Sequence, residues 1–274
     1  MCQSLYQIQS LDYRYSNGTM ALRNINVTIH KNQRVALVGS NGAGKSTFIQ
    51  HLNGLLKPTK GRIYFEGNPI DYHRKNLNQI RQKVGIVLQD PDAHLFSPDV
   101  LDELIFGPIN FGMEKDEAIK NAYQIMDNLG LKHLIEQPTH HLSYGQKKQV
   151  SIASILVSKP DVIILDEPMA GLDPYNRQLV MRSLDHLYQQ GITIVLSTHD
   201  VNLAYEWAEE VIAFSNGHCI GQGDPITIFS NEILLKEAHL ACPMVLDLYN
   251  NLPDKLKKQI PRNHEQLKLL LQNA

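Results

Sequence analysis

Cysteine is scarce in this 274-residue chain. Cys2, Cys219 and Cys242 are scattered and odd in number, so no disulfide framework is expected and unpaired thiols in a reducing compartment are. Long apolar runs are missing as well. No stretch approaches the roughly 18 consecutive apolar residues of a membrane-crossing helix. The chain is therefore not expected to cross a bilayer by itself, although it can sit on one through a partner. The opening Met-Cys-Gln-Ser-Leu-Tyr lacks the basic start and apolar run of a secretory signal. Positive charge is not in excess: 26 Lys and Arg against 28 Asp and Glu leave a net charge of -2. No basic field argues for nucleic acid as a partner. Internal repeats and low-complexity tracts are absent too.

Strands and helices alternate along what remains. Residues 4–38 read as short strands with turns, including a hairpin-like turn at Asn17-Gly18 and a half-buried strand over 25–29. Residues 34–38, 61–65 and 84–88 read as further strands. The unbroken apolar run at 162–165 is typical of a central parallel strand, and residues 192–196 read as another core strand. Helices are expected over 114–136, interrupted at Gly130, over 146–158 and over 176–190. This alternation predicts an α/β fold with a mainly parallel core sheet. It fades near Asp224, where helices over 231–248 and 262–272, punctuated by Pro243, Pro253 and Pro261, predict a small C-terminal helical extension. The expected division is 1–224 and 225–274.

The most specific motif runs through Gly39, Ser40, Asn41, Gly42, Ala43, Gly44, Lys45, Ser46 and Thr47. It fits G-x-x-x-x-G-K-[ST] and lies between a predicted strand and a predicted helix, the context that pattern requires. Glycines let the backbone N–H groups line a concave anion nest, and the helix N-terminus adds partial positive charge. Lys45 can reach the β- and γ-phosphates of a nucleotide, and the Ser46 hydroxyl can hold Mg²⁺. Downstream, four apolar residues lead into Asp166-Glu167. A parallel sheet presents functional groups at the carboxyl ends of its strands. Asp166 is thus expected to hold Mg²⁺ through its water shell, and Glu167 to deprotonate an attacking water.

In these motifs and their order, the chain resembles the ATPase subunits of ABC transporters over roughly residues 4 to 225. Leu142-Ser-Tyr-Gly-Gln146 is similar to the family signature L-S-G-G-Q. Gln89 fits the glutamine loop, Ala170-Gly-Leu-Asp-Pro174 the D-loop with Asp173 as its acid, and His199 the switch histidine. Tyr15 fits the aromatic that stacks on adenine, with Tyr13 as the alternative. The resemblance implies ATP and Mg²⁺ as cofactors. It also implies an antiparallel β subdomain and a helical signature subdomain at about 90–158. Gln89, alongside Ser46 and Asp166, would touch the metal and the water. His199 would hydrogen-bond the γ-phosphate. Ser143, Gly145 and Gln146 would meet ATP held by an opposing subunit, so a working site needs two chains. Tyr144, Gln149, Met169 and Leu88 depart from the residues usual at their positions. None of them removes a group the chemistry requires, and the Tyr144 side chain is expected to point away.

Residues 89–98 and 105–112, with Leu142-Ser-Tyr-Gly-Gln-Lys-Lys148, resemble the ATPases of energy-coupling-factor importers, most closely the cobalt/nickel branch. The vitamin-importing branch uses nearly the same motifs. The resemblance implies a peripheral protein on the cytoplasmic face of the cell (inner) membrane. Its partners would be a second ATPase subunit, identical or related, an integral membrane coupling protein and a substrate-capture membrane protein. Asp92, Asp99, Asp102 and Glu103 would give the coupling groove an acidic face for a basic partner. In the same subgroup a C-terminal extension helps pair the ATPases, and Leu234, Leu235, Leu240, Val245 and Leu246 either form that face or pack on their own domain. His140-His141 is read as a pair of loop histidines, because adjacent residues rarely face one ion. A soluble ABC-type ATPase unconnected with transport is the reading from another class.

Overall fold

Among residues 3–272, which the computed structural model describes, ten strands and eleven α-helices form. The strands are β1 (Ser4–Arg14), β2 (Met20–His30), β3 (Arg34–Val38), β4 (Lys60–Phe65), β5 (Asn68–Pro69), β6 (Val84–Val87), β7 (Val162–Asp166), β8 (Thr193–Ser197), β9 (Glu210–Ser215) and β10 (His218–Gly223). The helices are α1 (Lys45–Leu52), α2 (Arg74–Lys83), α3 (Val100–Asn110), α4 (Lys115–Asn128), α5 (Tyr144–Val157), α6 (Pro174–Gln189), α7 (Val201–Trp207), α8 (Pro225–Phe229), α9 (Glu232–Ala238), α10 (Met244–Asn250) and α11 (His264–Gln272). Two compact units result. One gathers the residues up to 51, 56–69 and those from 196 onward; the other gathers 52–55 and 70–195. The division falls inside β8. Cys219 and Cys242 are half-buried free thiols, and Cys2 lies outside the described residues.

The first unit holds an antiparallel sheet in the order β2-β1-β4-β5. Tyr6 pairs with Ile29 on one side and with Phe65 on the other. β1 and β2 are each 11 residues long, not the short strands the sequence suggests. Register shifts between Ile8 and Leu11, where Ser10 has φ +49°, let so long a strand bend without breaking. The same unit carries strands in the order β10-β9-β3 followed by the end of β8. β3 and β9 are parallel, with Val35 opposite Glu210 and Val38 opposite Ala213, and β10 returns antiparallel. Residues 35–38 are fully buried, as a strand covered on both faces must be. The expected helix over 231–248 is two helices. His239 closes α9 in the left-handed conformation (φ +54°), and Pro243 precedes α10. Leu234, Leu235, Val245 and Leu246 are buried within this unit, while Leu240 is half-buried. Their side chains therefore pack at home and do not form an exposed pairing face. The exposed apolar residues of α9 and α10 are Ile233, Met244 and Leu248.

In the second unit the strand order is β8-β7-β6, with β6 parallel to β7 and Ile86 opposite Ile164. Helices α3, α4 and α5 share one core, built from Val100, Leu104, Ala122, Met126, Val150 and Val157 among others. α4 ends at Asn128 and Gly130 follows with φ +70°, which is where the sequence places a break. Glu103 corrects the acidic-face expectation. It is 4% exposed, and its carboxylate accepts from the backbone N–H groups of Phe96 and Ser97 at 3.0 and 2.9 Å. That carboxylate is spent inside the unit. Asp92 is exposed but paired with Lys147 at 2.5 Å.

Candidate functional site

The expected site residues fall on both units. In the first, the phosphate loop leaves β3 at Gly39 and enters α1 at Lys45. Gly39 has φ +144°, and a Cβ built there would lie 2.3 Å from the Phe214 carbonyl oxygen. No other residue type fits without moving the backbone of β9. The loop is braced from behind: Gly217 N–H donates to Ala43 O at 3.0 Å, and Arg23 N–H donates to Gly217 O at 2.8 Å. Lys45 is 6% exposed, and its ammonium donates to Gly39 O at 2.8 Å and Ser40 O at 3.1 Å. An anionic phosphate oxygen is a stronger acceptor for this ammonium than either of these neutral carbonyls. Ser46 is exposed and Thr47 buried.

Tyr15 sits in the turn after β1, where its hydroxyl shares a 2.9 Å hydrogen bond with the Thr47 hydroxyl. Its ring is 38% exposed. Tyr13 is half-buried and packs edge-on between Tyr15 and His51, with centroids at 5.0 and 4.7 Å. His51 is fully buried. Its Nδ1 lies 2.7 Å from Thr47 O and therefore donates, and burial lowers its pKa to about 4. His199 follows β8 and is exposed. Thr198 N–H donates to Leu37 O at 3.0 Å, so His199 lies at the same carboxyl end of the strands from which the phosphate loop departs. Asp200 then caps α7 by accepting from Asn202 and Leu203 N–H.

The second unit carries the acids, the glutamine loop, the signature and the D-loop. Asp166 closes β7, Glu167 follows it with φ +46°, and both are buried. A non-glycine residue in the left-handed region is uncommon, and such positions concentrate where a side chain must be aimed. Gln89 is exposed just after β6. Ser143 caps α5 in a reciprocal capping box: its Oγ accepts from Gln146 N–H at 3.3 Å, and its own N–H donates to Gln146 Oε1 at 2.8 Å. The Ser143 hydroxyl keeps its proton to donate elsewhere. Signature and D-loop touch. A Cβ on Gly145 would meet the Asn176 side chain at 3.2 Å, and Asn176 is bound through N–H and Nδ2 to the Asp173 carboxylate. Those bonds hold the Asp173 carboxyl below the usual range.

Lys148 escapes the sequence reading because it looks like one more polar residue of a signature helix. It is fully buried, and its ammonium donates to Leu88 O at 3.1 Å and Gln89 O at 2.6 Å. Burial lowers its pKa to about 8, against the opposing pull of Asp166, Asp90 and Glu167. The only sequence hint is a lysine flanked by positions at apolar helical spacing. Unit 2 also contains a cavity of about 550 Å³ between α4 and α6, lined by Ile125, Leu129, Leu179, Arg182 and Leu187 among others. None of the motif residues lines it, and its walls mix aliphatic side chains with Lys159, Arg182 and His186.

Comparison with known proteins gives the family. Residues 22–170 match the family model for the ABC transporter. The chain is 43% identical over 248 residues to the energy-coupling factor transporter ATP-binding protein EcfA of Methanothermobacter thermautotrophicus, covering 90% of this chain and 80% of that protein. Other archaeal relatives of similar identity are longer, and the chain spans 55% and 64% of two of them. Among solved structures it is similar to CbiO1 from Clostridium perfringens, described as part of the ABC transporter complex CbiONQ. There the TM-score is 0.76 at 42% identity, covering 85% of this chain and 94% of that one. It is also similar to the ATP-binding cassette MJ0796 in a dimeric post-hydrolysis state bound to ADP and Pi, with TM-score 0.74, 27% identity and 81% and 99% coverage.

Proposed function

Because the chain belongs to the ATP-binding, ATP-hydrolysing subunits of energy-coupling factor ABC transporters, we propose that it drives import of cobalt or nickel ions from the cytoplasmic face of the cell membrane. The likeness to a CbiONQ component and the sequence from Gln89 to Pro98 support those solutes. The partners would be a second ATPase subunit, a membrane coupling protein and a membrane protein that captures the ion. A C-terminal extension over 225–274 would follow the ATPase domain.

The observation that carries the reading is that each half of an ATP site occurs once in the chain. One half is the braced phosphate loop with Lys45; the other is the capped start of α5 with Ser143. A complete site then takes one half from each of two subunits. Loop N–H groups and Lys45 would hold the phosphates, and the Tyr15 ring would stack on adenine. Ser143, Gly145, Gln146 and Asp173 would meet the ATP of the opposing subunit. The Ser46 hydroxyl, Gln89 amide and Asp166 carboxylate are hard oxygen donors and suit Mg²⁺. Bound there, the ion would neutralise charge on the transferring phosphoryl group. Glu167 would take the proton of the attacking water. His199 would donate to the γ-phosphate and register its departure.

A tagged chain purified from mildly solubilised membranes tests the proposal. Two multi-span membrane proteins should co-purify, and uptake of cobalt or nickel by vesicles holding the complex should require ATP. Uptake of a vitamin instead would replace the solute. A soluble dimer with no membrane chain under several detergents would overturn the importer reading.

A further inference from the structure

We propose that Lys148 is a positioning residue for ATP hydrolysis: a buried tether that makes the glutamine loop follow the signature helix. The inference deepens the function proposed above and rests on it. The sequence marks Ser143–Gln146 for a partner's γ-phosphate and Gln89 for the chain's own nucleotide. Nothing in the motifs themselves says how one informs the other. Lys148 stands one turn into α5, beyond the Ser143 capping box. Its ammonium holds the last two carbonyls before the loop turns, those of Leu88 and Gln89. The Gln89 side chain is exposed while its own backbone is gripped from inside.

Two further contacts moor the same segment to the same helix. Lys147 Nζ pairs with Asp92 Oδ1 at 2.5 Å, and His94 Nε2 lies 3.3 Å from Ser154 Oγ. The Lys147 pair reaches solvent, where ion pairs contribute little, and the His94 contact is long. The Lys148 bonds are the ones made in the interior, where charge-assisted bonds are strongest and least screened. Burying an ammonium costs several kcal/mol unless it is compensated. Here Asp166, Asp90 and Glu167 supply the opposing charge. The cation thus ties the glutamine-loop backbone to the signature helix within one unit, in the field of the acids at the end of β7. A shift of α5 on engaging the partner's nucleotide carries Leu88 and Gln89 with it, because a helix moves as a rigid body while two short bonds resist slipping.

The test uses the full chain with Lys148→Met and Lys148→Gln, beside wild type and Glu167→Gln. ATP binding is read with a fluorescent ATP analogue, hydrolysis as kcat and as the Hill coefficient for ATP, and folding by thermal melts. The expected result for Lys148→Met is analogue affinity within about threefold of wild type, kcat down at least about tenfold, and a Hill coefficient falling towards one. Lys148→Gln keeps an N–H donor and should recover part of kcat; it also decides the matter if the methionine variant melts. A kcat and Hill coefficient within about twofold of wild type in the glutamine variant and in any folded methionine variant would overturn the proposal. So would parallel losses of analogue affinity, kcat and melting temperature, which mark a purely structural lysine. Wild type without ATP hydrolysis would overturn the underlying function, an outcome distinct from active variants.

Discussion

The Tyr144 ring lies against Gly171: a Cβ at position 171 would come within 2.8 Å of Tyr144 Cε1 and 3.4 Å of Cδ1 and Cζ. The side chain that departs from the signature pattern settles on the D-loop. Tyr144 and Gly171 therefore form a matched pair. Gly171 also has φ +74°. Gly171→Ala should carry two separable penalties: roughly 1–2 kcal/mol for an L-residue in that conformation, and a further cost from the ring. In the Tyr144→Ala background only the first should remain. A double-mutant cycle in urea should give a coupling of about 1 kcal/mol, and strict additivity would show that the ring does not rest on residue 171.

Lys45→Ala should act on binding. The ammonium that now bridges Gly39 O and Ser40 O is the one expected to contact phosphate. Hydrogen bonds to charged groups contribute about 1.5–3 kcal/mol, so ATP affinity should drop roughly 10- to 100-fold by calorimetry. An affinity equal to wild type would mean the loop does not use its lysine.

Glu167→Gln should separate binding from turnover. Glutamine has the same size and faces the same left-handed backbone at φ +46°, so the fold and nucleotide binding are expected to survive. Losing a general base typically costs about 10²–10⁴-fold. Phosphate release should fall by that range, while ATP should still bring two chains together on a sizing column. Turnover within a factor of about two would remove Glu167 from the role of base.

The parts of this molecule that were legible in the sequence are those whose local pattern decides their structure. Residues 162–165 are an unbroken apolar run and residues 192–196 are apolar but for Thr193, and they became the buried strands β7 and β8. The phosphate loop declares itself because glycine, lysine and serine are each required at fixed spacing. α2 was invisible for the opposite reason. It is ten polar-rich residues with none buried, so it has no apolar stripe to read. α3 hid behind Gly107-Pro108 near its C-terminal end. β9 and β10 went unread beyond the core strand at 192–196. Glu103 and Lys148 fail a reading by composition in the same way. Each is a charged residue whose burial is created by tertiary partners, the Phe96 and Ser97 N–H groups for one and the Leu88 and Gln89 carbonyls for the other.

His51 gives the molecule a specific acid sensitivity. It is fully buried, its Nδ1–H is committed to Thr47 O, and its Nε2 has no hydrogen-bond partner among the described residues. Burial is the main cause of its low pKa, about 4 against an ordinary 6.5; the bond to Thr47 works weakly the other way. Between those two values the unfolded chain binds a proton that the folded chain refuses. Stability therefore rises with pH across the window, is complete above about 6.5, and is lost as pH falls towards 4. At 1.36 kcal/mol per pKa unit the full effect is about 3 kcal/mol. His51→Phe keeps a ring against Tyr13 and removes the titration. Carboxylates elsewhere in the chain will also weaken the fold in acid, so the informative quantity is the stability difference between wild type and variant, measured by urea unfolding from pH 7 to about pH 4.5. That difference should shift in favour of the phenylalanine variant as pH falls. Parallel curves would mean that His51 is protonated in the folded protein as readily as in the unfolded chain, and that its ring is open to water beside the phosphate-loop helix.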